Sequence, residues 1–369
     1  MNDNLLPRAR AWADTMHGHG SDVTVAHASS LARVSPREPR RREAREELER
    51  LTLVPEAAFS HGSGERAIQE EPDPLRTCFE RDRDRIVHSA AFRRLAGKTQ
   101  VVVYPTDHQR TRLTHALEVA QAAVAMARGI GVNVTLTDAI ALGHDCGHGP
   151  GGHASEDAFD EFITEGYDHG PWGADVVLAD LNLTVQTLDG IRNHSWSRPA
   201  PGTVEGEIVS WADRIAYCAH DLEDAIHAGI VTIEDMPAVV RDVAGTRRSQ
   251  QLATFINAVI DTTATTGVMG MDARTAEALA ELRRFNYERI YTREEAVAQS
   301  LTVVAVLRDL VNYYLENPDS LPPEYTRANL VHGAVAYVGG MTDRFAFERA
   351  RLLLGWDPRR LPRYIGRGA

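Results

Sequence analysis

The 369-residue chain is long enough to bury a sizeable core, and its 43% hydrophobic and 25% charged residues exclude a wholly disordered protein. Its net charge of −12 disfavours general binding to nucleic-acid backbone, although clustered basic residues can still hold a small anion. The three cysteines are odd in number and widely spaced, which excludes a disulfide framework and a CxxC zinc site. No run of about 20 apolar residues and no secretory signal occur, so we expect a cytoplasmic protein with no membrane partner.

Residues 1–70 differ in composition from the rest of the chain. They contain the charged run RVSPREPRRREAREELERL, followed by a stretch of glycine, serine and acidic residues. We predict a polar, mobile N-terminal arm over residues 1–70, and a regulatory or oligomer-contacting arm is the alternative. Residues 75–365 are predicted to form one helical domain that includes additional C-terminal helices.

Apolar residues recur at helical spacing through most of the chain after Leu75. RLTHALEVAQAAVAMARGI, for example, places Leu113, Leu117 and Ala120 on one side of a helix. Further helices are predicted over 135–142, 155–165, 183–193, 205–228, 251–260, 274–291, 294–316 and 343–355. VVVYPTD, residues 101–107, predicts a brief strand or an extended turn. The sequence therefore predicts an all-α fold with at most a short β element.

Histidines next to carboxylates are the first sign of chemistry. His144 and Asp145 are adjacent at the end of an apolar helix, and His115 and Asp213 lie on two other predicted helices. Taken singly, each residue is better explained by a structural role: a capping pair for His144 and Asp145, a core histidine for His115 and a buried salt bridge for Asp213. Together, two imidazoles and two carboxylates form a mixed nitrogen and oxygen ligand set for a divalent metal. We predict Mn²⁺, with Mg²⁺, Co²⁺, Fe²⁺, Ni²⁺ and Zn²⁺ as alternatives.

A glycine-rich loop follows the His-Asp pair and carries a second group of polar residues. In GHGPGGHASE, Glu156 comes three residues after His153, so the two share a face if a helix begins there. A carboxylate that holds one imidazole nitrogen raises the basicity of the ring, as a general acid for a leaving oxygen requires. With a metal that polarises a phosphoryl oxygen and activates water, His148, His153 and Glu156 suit hydrolysis of a phosphate ester or anhydride. The alternative is an ordinary turn between helices.

Basic and aromatic residues on either side of these motifs suit a phosphorylated ligand. Five basic residues precede His115, namely Arg93, Arg94, Lys98, Arg110 and Arg112. Three residues share one predicted helical face at four-residue spacing, namely Arg283, Tyr287 and Tyr291. Arginine binds phosphate in bidentate fashion, and tyrosine stacks on a base or bonds a sugar hydroxyl. A solvated basic face with core aromatic residues is the alternative.

Six motifs occur in a fixed order between residues 80 and 295 and carry a resemblance to a known family. They are HSAAFRRLAGKTQV, RTRLTHALEVAQ, HDCGHGPGGH, LNLTVQTLDGIRNHS, ADRIAYCAHDLEDA and RRFNYERIY. The chain resembles the bacterial deoxyguanosinetriphosphate triphosphohydrolase-like proteins of the HD-domain superfamily, and is similar also to the vertebrate SAM-and-HD-domain dNTPase. The resemblance implies an all-α HD-domain bundle that hydrolyses a dNTP to the deoxynucleoside and inorganic triphosphate.

The same resemblance assigns roles to particular residues. It implies that the metal ligands are His115, His144, Asp145 and Asp213. It implies that the catalytic residues are His148, His153 and Glu156, with His153 as proton donor to the 5′ oxygen. It implies that the substrate is bound by Arg112, His194, Tyr217, Asp221, Arg283, Tyr287 and Tyr291. A homo-oligomer and a nucleotide effector are further expectations from the resemblance. Binding of single-stranded DNA occurs in relatives, but the net charge of −12 disfavours it here.

Two departures from the family pattern affect specificity and the loop. Ala96 stands where family members commonly have a glutamine associated with sugar recognition, which leaves the base and deoxyribose preferences open. Gly149, Pro150 and Gly151 stand where Pro-Pro-Phe is usual, which predicts a looser loop. Two other functions remain as alternatives: an HD phosphatase acting on nucleoside monophosphates, and a regulator that binds nucleotide or nucleic acid without catalysis.

Overall fold

The computed structural model of the chain describes residues 6–14, 22–27, 29–101, 109–326 and 329–362. The chain divides into two compact units, Met1–Arg40 and Arg41–Ala369. In the first unit the described residues include one short helix, α1 (Pro7–Asp14), and most of the described side chains are exposed. The predicted arm, residues 1–70, therefore spans the first unit and the beginning of the second.

The second unit is built from helices joined by turns and by longer loops. They are α2 (Arg42–Thr52), α3 (Cys78–His88), α4 (Ala90–Arg94), α5 (Arg112–Ile130), α6 (Val134–Gly143), α7 (Ala154–Phe159), α8 (His169–Trp172), α9 (Val185–Asn193), α10 (Val204–His227), α11 (Ala238–Ala244), α12 (Arg248–Thr266), α13 (Ala273–Asn286), α14 (Glu294–Glu316), α15 (Leu330–Gly339) and α16 (Asp343–Leu354). Among the described residues no strand forms, and isolated β bridges such as Arg66–Thr184 and Thr99–Thr111 occur instead.

The prediction of an all-α fold is confirmed. The segment predicted as a brief strand, residues 101–107, lies outside the described residues except for Val101. The helix predicted over 155–165 is shorter, because α7 ends at Phe159 and is followed by one 3₁₀ turn, Asp160–Phe162. After that turn the chain becomes extended, which buries Ile163 in a core with Phe159. No helix that the structure describes is both long and apolar enough to cross a membrane.

Helix α5 packs against α6, α10 and α12 in the larger of two hydrophobic cores. The side of α5 that faces this core is rich in small residues, including Ala116, Ala120 and Ala123. Small side chains let neighbouring helices approach closely, so polar residues at the same level of α5, α6 and α10 come within reach of one another. Helices α3 and α9 cover α6 from other sides.

A second hydrophobic core is formed by α7, α14, α15 and α16. The first residue of α16, Asp343, joins this core to the glycine-rich loop. Its carboxylate accepts hydrogen bonds from the backbone N–H of Thr99, at 3.0 Å, and of Gly151, at 2.8 Å. Lys98 makes a parallel connection, because its ammonium donates to the backbone carbonyls of His148 and Gly339. The C-terminal helices therefore hold the glycine-rich loop in place.

Residues from the end of the predicted arm also pack into the second unit. Glu49 on α2 accepts hydrogen bonds from the backbone N–H and the hydroxyl of Ser60, both at 2.7 Å. Arg66 forms an ion pair with Asp82 of α3 at 2.6 Å, and both side chains are buried. These contacts join residues 41–70 to the helices of the second unit.

Candidate metal centre

The four predicted metal ligands come together where α5, α6 and α10 meet. Nε2 of His115 lies 3.1 Å from Oδ1 of Asp213 and 3.9 Å from Oδ2 of Asp145. Nε2 of His144 lies 3.5 Å from Oδ1 of Asp145 and 3.8 Å from Oδ1 of Asp213. Residues far apart in the sequence thus bring two imidazoles and two carboxylates to one place.

The protonation of His144 suits metal binding. Its Nδ1 donates to the backbone carbonyl of Ala141 at 2.6 Å, which leaves the lone pair on Nε2. Burial lowers the pKa of His144 despite the nearby Asp145 and Asp213, so the ring is neutral. Nε2 is buried and makes no hydrogen bond. A buried nitrogen with a free lone pair beside two carboxylates fits a divalent cation.

Arg112, one turn before His115 on α5, contacts the same cluster. Its guanidinium donates from one terminal nitrogen to Oδ2 of Asp145 at 2.6 Å, and both side chains are buried. Burial alone would raise the pKa of Asp145, but Arg112 and the neighbouring histidines hold it well below its usual value. Nε and the other terminal nitrogen of Arg112 are buried and have no hydrogen-bond partner. These two donors are free for an anion.

The glycine-rich loop places a second group beside the first. Nε2 of His148 lies 3.2 Å from Oδ1 of Asp145. His153 donates from Nδ1 to Oε2 of Glu156 at 2.9 Å, and the imidazole of His153 is exposed, with 72% of its side chain accessible. Although burial opposes it, hydrogen bonds from two imidazoles hold the pKa of Glu156 well below its usual value. Glu156 is therefore an ionised carboxylate that orients His153.

The second imidazole bound to Glu156 belongs to His169, a residue that the sequence analysis missed. Nδ1 of His169 donates to Oε1 of Glu156 at 2.6 Å, and its ring stacks on that of His148 at a centroid distance of 3.7 Å. On the other side, Nε2 of His169 lies 3.1 Å from Nε2 of His194. Nothing in the local sequence GYDHGPW distinguishes this histidine from the other histidines of the chain. Only the packing of α8 against α9 brings it to the cluster.

Four of the five predicted substrate-binding residues on α10, α13 and the turn after α13 form two hydrogen-bonded pairs. Nε of Arg283 donates to the hydroxyl of Tyr217 at 3.0 Å, and the hydroxyl of Tyr291 donates to Asp221. The predicted helix ends in a π-helical turn over Tyr287–Tyr291, which changes the spacing between these two residues, and the side chain of Tyr287 is 55% exposed. The predicted single face of Arg283, Tyr287 and Tyr291 is thus interrupted.

The basic residues before His115 divide into two groups. Arg93 and Arg94 are exposed, whereas Lys98 and Arg110 are buried. Arg110 forms ion pairs with Asp221, Asp224 and Glu118, so it neutralises acidic groups of the chain. Arg112, the fifth of these residues, differs from both groups. It is buried, it contacts Asp145 of the His/Asp cluster, and two of its guanidinium nitrogens have no hydrogen-bond partner.

Comparison with known proteins places this cluster in a family. Residues 112–218 match the HD domain, and residues 269–351 match the phosphohydrolase-associated domain. A deoxyguanosinetriphosphate triphosphohydrolase-like protein of Caldanaerobacter subterraneus subsp. tengcongensis is 42% identical over 83% of this chain and 93% of its own length. The chain belongs to the deoxyguanosinetriphosphate triphosphohydrolase-like proteins. A member from Clostridium tetani is 37% identical over 81% of this chain and 92% of its own length.

In this member of the family, hydrogen bonds anchor the glycine-rich loop, although Gly149, Pro150 and Gly151 depart from the family pattern. The backbone N–H of Gly149 donates to the hydroxyl of Ser155 at 2.9 Å, and that of Gly151 donates to Asp343 at 2.8 Å. These bonds hold both ends of the Gly149–Gly151 segment. The other departure, Ala96, is exposed in the 3₁₀ turn Leu95–Gly97 that follows α4.

Proposed function

We propose that this protein hydrolyses a dNTP to the deoxynucleoside and inorganic triphosphate in a reaction that needs a divalent metal, most readily Mn²⁺. The observation that carries the proposal is the buried guanidinium of Arg112, which has two unpartnered donors beside a His/Asp cluster. An unsatisfied buried cation of this kind costs stability unless a ligand completes its hydrogen bonds. A phosphate oxygen is the matching acceptor, because guanidinium binds phosphate in bidentate fashion.

The metal would be held by His115, His144, Asp145 and Asp213. When bound, a divalent ion polarises a phosphoryl oxygen and lowers the pKa of a water molecule. The role of Arg112 is to bind and orient the phosphate chain next to this site, while its bond to Asp145 keeps that carboxylate ionised.

His153 is the proposed proton donor. Its Nδ1 is held by Glu156, which leaves Nε2 to carry a proton to the 5′ oxygen as the bond to the α-phosphorus breaks. Glu156 stabilises the imidazolium before the transfer and is itself fixed by His169. The exposure of His153 gives a substrate access to this nitrogen. His148, between Asp145 and His169, supports the same arrangement.

The sugar side of the substrate is proposed to lie against α10 and the end of α13. Tyr217 offers a ring, and its hydroxyl is positioned by Arg283. Asp221 already accepts hydrogen bonds from Arg110 and Tyr291, so its carboxylate is fixed in place to accept one more from a 3′ hydroxyl. Tyr287 is proposed to contribute only if substrate binding covers its exposed ring.

Product analysis in ¹⁸O-labelled water tests the reaction. The purified chain is incubated with each dNTP and with GTP in Mn²⁺, Mg²⁺ or Co²⁺, and the products are separated by anion-exchange chromatography. Attack of water on the α-phosphorus predicts inorganic triphosphate that carries the ¹⁸O and a deoxynucleoside that does not. Pyrophosphate as product would refute this bond assignment, and phosphate released from a monophosphate alone would favour the monophosphatase.

The variant His144→Ala provides the control for the metal. It removes one proposed ligand, so we expect the variant to release no triphosphate. We also expect Mn²⁺ to stop stabilising the folded chain. For a chain that binds Mn²⁺, this stabilisation reaches about 2.7 kcal/mol of unfolding free energy when the Mn²⁺ concentration is 100 times the dissociation constant. Full activity of this variant would refute the metal assignment. Tight dNTP binding by the wild-type chain without turnover in any metal would favour the non-catalytic regulator. The cytoplasmic location, the homo-oligomer and the nucleotide effector remain predictions, and binding of single-stranded DNA, which the net charge disfavours, is untested.

A further inference from the structure

An exposed tryptophan lies at the start of the loop that joins α9 to α10. His194, the first residue after α9, has its ring 5.0 Å from that of His144, and Trp196 follows two residues later with 45% of its surface exposed. Nε1 of Trp196 donates to the backbone carbonyl of Ser210 on α10 at 3.0 Å. The ring of Trp211 meets that of Trp196 at 78°, with the two centroids 4.8 Å apart. These contacts fix the indole of Trp196 against α10.

The face of this indole carries a guanidinium. The guanidinium carbon of Arg214, on α10, lies 3.5 Å from the centroid of the Trp196 ring, which is van der Waals contact over the ring. A cation over the face of an indole is attracted by the negative charge of that face. Stacking of this kind uses none of the N–H donors of a guanidinium. Trp196 therefore orients Arg214 and leaves its donors for another group.

Arg214 has no acidic partner in the described part of the chain, where no carboxylate oxygen lies within 4.0 Å of its guanidinium nitrogens. Its Nε is buried and makes no hydrogen bond. Three residues further along α10, and on the same side of this helix, Tyr217 accepts a hydrogen bond from Nε of Arg283 at 3.0 Å. Two guanidiniums thus lie on one side of α10, as binding of an anion requires.

We propose that Trp196 is a positioning residue, which holds Arg214 in the orientation that binds the part of the phosphate chain beyond Arg112. Arg112 bonds Asp145, whereas Arg214 directly follows Asp213 in the chain, so the two guanidiniums approach the metal centre from different elements. A triphosphate has an oxygen for each of them, whereas a single phosphate beside Arg112 does not need Arg214. This inference rests on the proposed function, because it concerns how the triphosphate is held.

Binding of inorganic triphosphate tests the proposal without turnover. The full chain is titrated calorimetrically with inorganic triphosphate and with orthophosphate, at the same concentration of free Mn²⁺. Loss of the cation–π contact predicts that Trp196→Leu binds triphosphate roughly 3- to 30-fold more weakly than the wild type. The affinity for orthophosphate should not change, because one phosphate needs only the metal and Arg112. Trp196→Phe keeps an aromatic face, so we expect it to retain most of the affinity for triphosphate.

A double-mutant cycle shows whether Trp196 acts through Arg214. Arg214→Met should itself weaken the binding of triphosphate. Trp196→Leu should then cause no further loss, because no guanidinium is left to orient. The same loss from Trp196→Leu in the presence and in the absence of Arg214 would overturn the proposal.

Trp356→Leu is the matched control. The guanidinium carbon of Arg360 lies over the ring of Trp356 at 5.4 Å from its centroid, and Nε1 of Trp356 donates to Asp309 at 3.0 Å. Trp356 follows α16 and packs against the second hydrophobic core, so this variant should bind both anions as the wild type does.

Two results for Trp196→Leu would overturn its role while the proposed reaction stands. They are unchanged binding of triphosphate, and an equal loss of affinity for triphosphate and orthophosphate, which would indicate a purely structural side chain. A wild-type chain that binds triphosphate no better than orthophosphate would contradict both this inference and the triphosphate substrate.

Discussion

Arg112 donates to Oδ2 of Asp145 at 2.6 Å, so a buried guanidinium and a proposed metal ligand form one ion pair. This contact fixes the rotamer of Arg112 and leaves its other two donors without partners. It also directs Oδ1 of Asp145 towards His144, His148 and His169. The position of the proposed phosphate-binding group thus depends directly on that of the metal ligands.

Replacement of Arg112 by lysine should impair substrate binding while keeping the charge. An ammonium cannot bond Asp145 and present a fork of donors to phosphate at the same time. The loss of one charged hydrogen bond, about 1.5–3 kcal/mol, predicts a fall in kcat/KM of roughly 10- to 100-fold. Steady-state kinetics measure this fall. The control is Arg83→Lys. Arg83 lies in a partly exposed ion pair with Asp138, so this variant should leave kcat/KM unchanged. Equal activity of the Arg112→Lys and Arg83→Lys variants would contradict the role of Arg112.

Replacement of Glu156 by glutamine should slow the chemical step. The amide no longer carries the charge that stabilises the His153 imidazolium, so we expect kcat to fall by about 10²- to 10⁴-fold, the usual range for a general acid. The KM should change little, because Glu156 is proposed to contact His153 and His169 and not the phosphates. Glu161→Gln, nearby on the surface, should behave as wild type. A Glu156→Gln variant with unchanged kcat would rule out this proton donor.

Gly152→Ala should displace Arg112, whereas Gly267→Ala should not. Both glycines have positive φ angles, 65° and 71°, so each substitution places alanine in the left-handed region at a cost of about 1–2 kcal/mol. A Cβ on Gly152 would lie 2.6 Å from a terminal nitrogen of Arg112, whereas one on Gly267 has no neighbour within 4 Å. Urea denaturation should show the greater loss of stability for Gly152→Ala, and kinetics should show a fall in kcat/KM for that variant alone. Similar behaviour of the two variants would show that Arg112 tolerates the added methyl group.

Lys98 should make stability depend on pH in the alkaline range. Burial lowers its pKa from 10.5 to about 8. Between pH 8 and 10.5 the unfolded chain therefore binds this proton more strongly than the folded chain, and the free energy of unfolding rises with pH. The difference between wild type and Lys98→Met should grow by up to about 3 kcal/mol over this range, because the variant lacks the titrating group.

Nuclear magnetic resonance can measure the same pKa directly. Lys98 is the only lysine among the 369 residues, so a chain labelled with ¹³C at the lysine ε position gives a single lysine signal. That signal should titrate near pH 8. A midpoint near 10.5 would contradict this prediction. It would show that the ammonium of Lys98 is exposed to water and not held between the carbonyls of His148 and Gly339.

Local patterns were sufficient to predict the longest helices and the four residues His115, His144, Asp145 and Asp213. The apolar spacing of α5, α6 and α10 depends on residues close in sequence, and a polar residue within such a helix, such as Asp213, is conspicuous. The same patterns were less informative at helix ends. The end of α7 at Phe159, for example, depends on the distant side chains against which Phe159 and Ile163 pack.

The sequence by itself determined the helical class, the pairing of His144 with Asp145, and the relation of His153 to Glu156, because these follow from spacing within one or two helical turns. Only the tertiary structure decided that His169 stacks on His148, that Arg112 bonds Asp145, and that Lys98 and Asp343 hold the loop. Those contacts join segments that are remote in the chain, and they form because burial of the two hydrophobic cores brings the segments together.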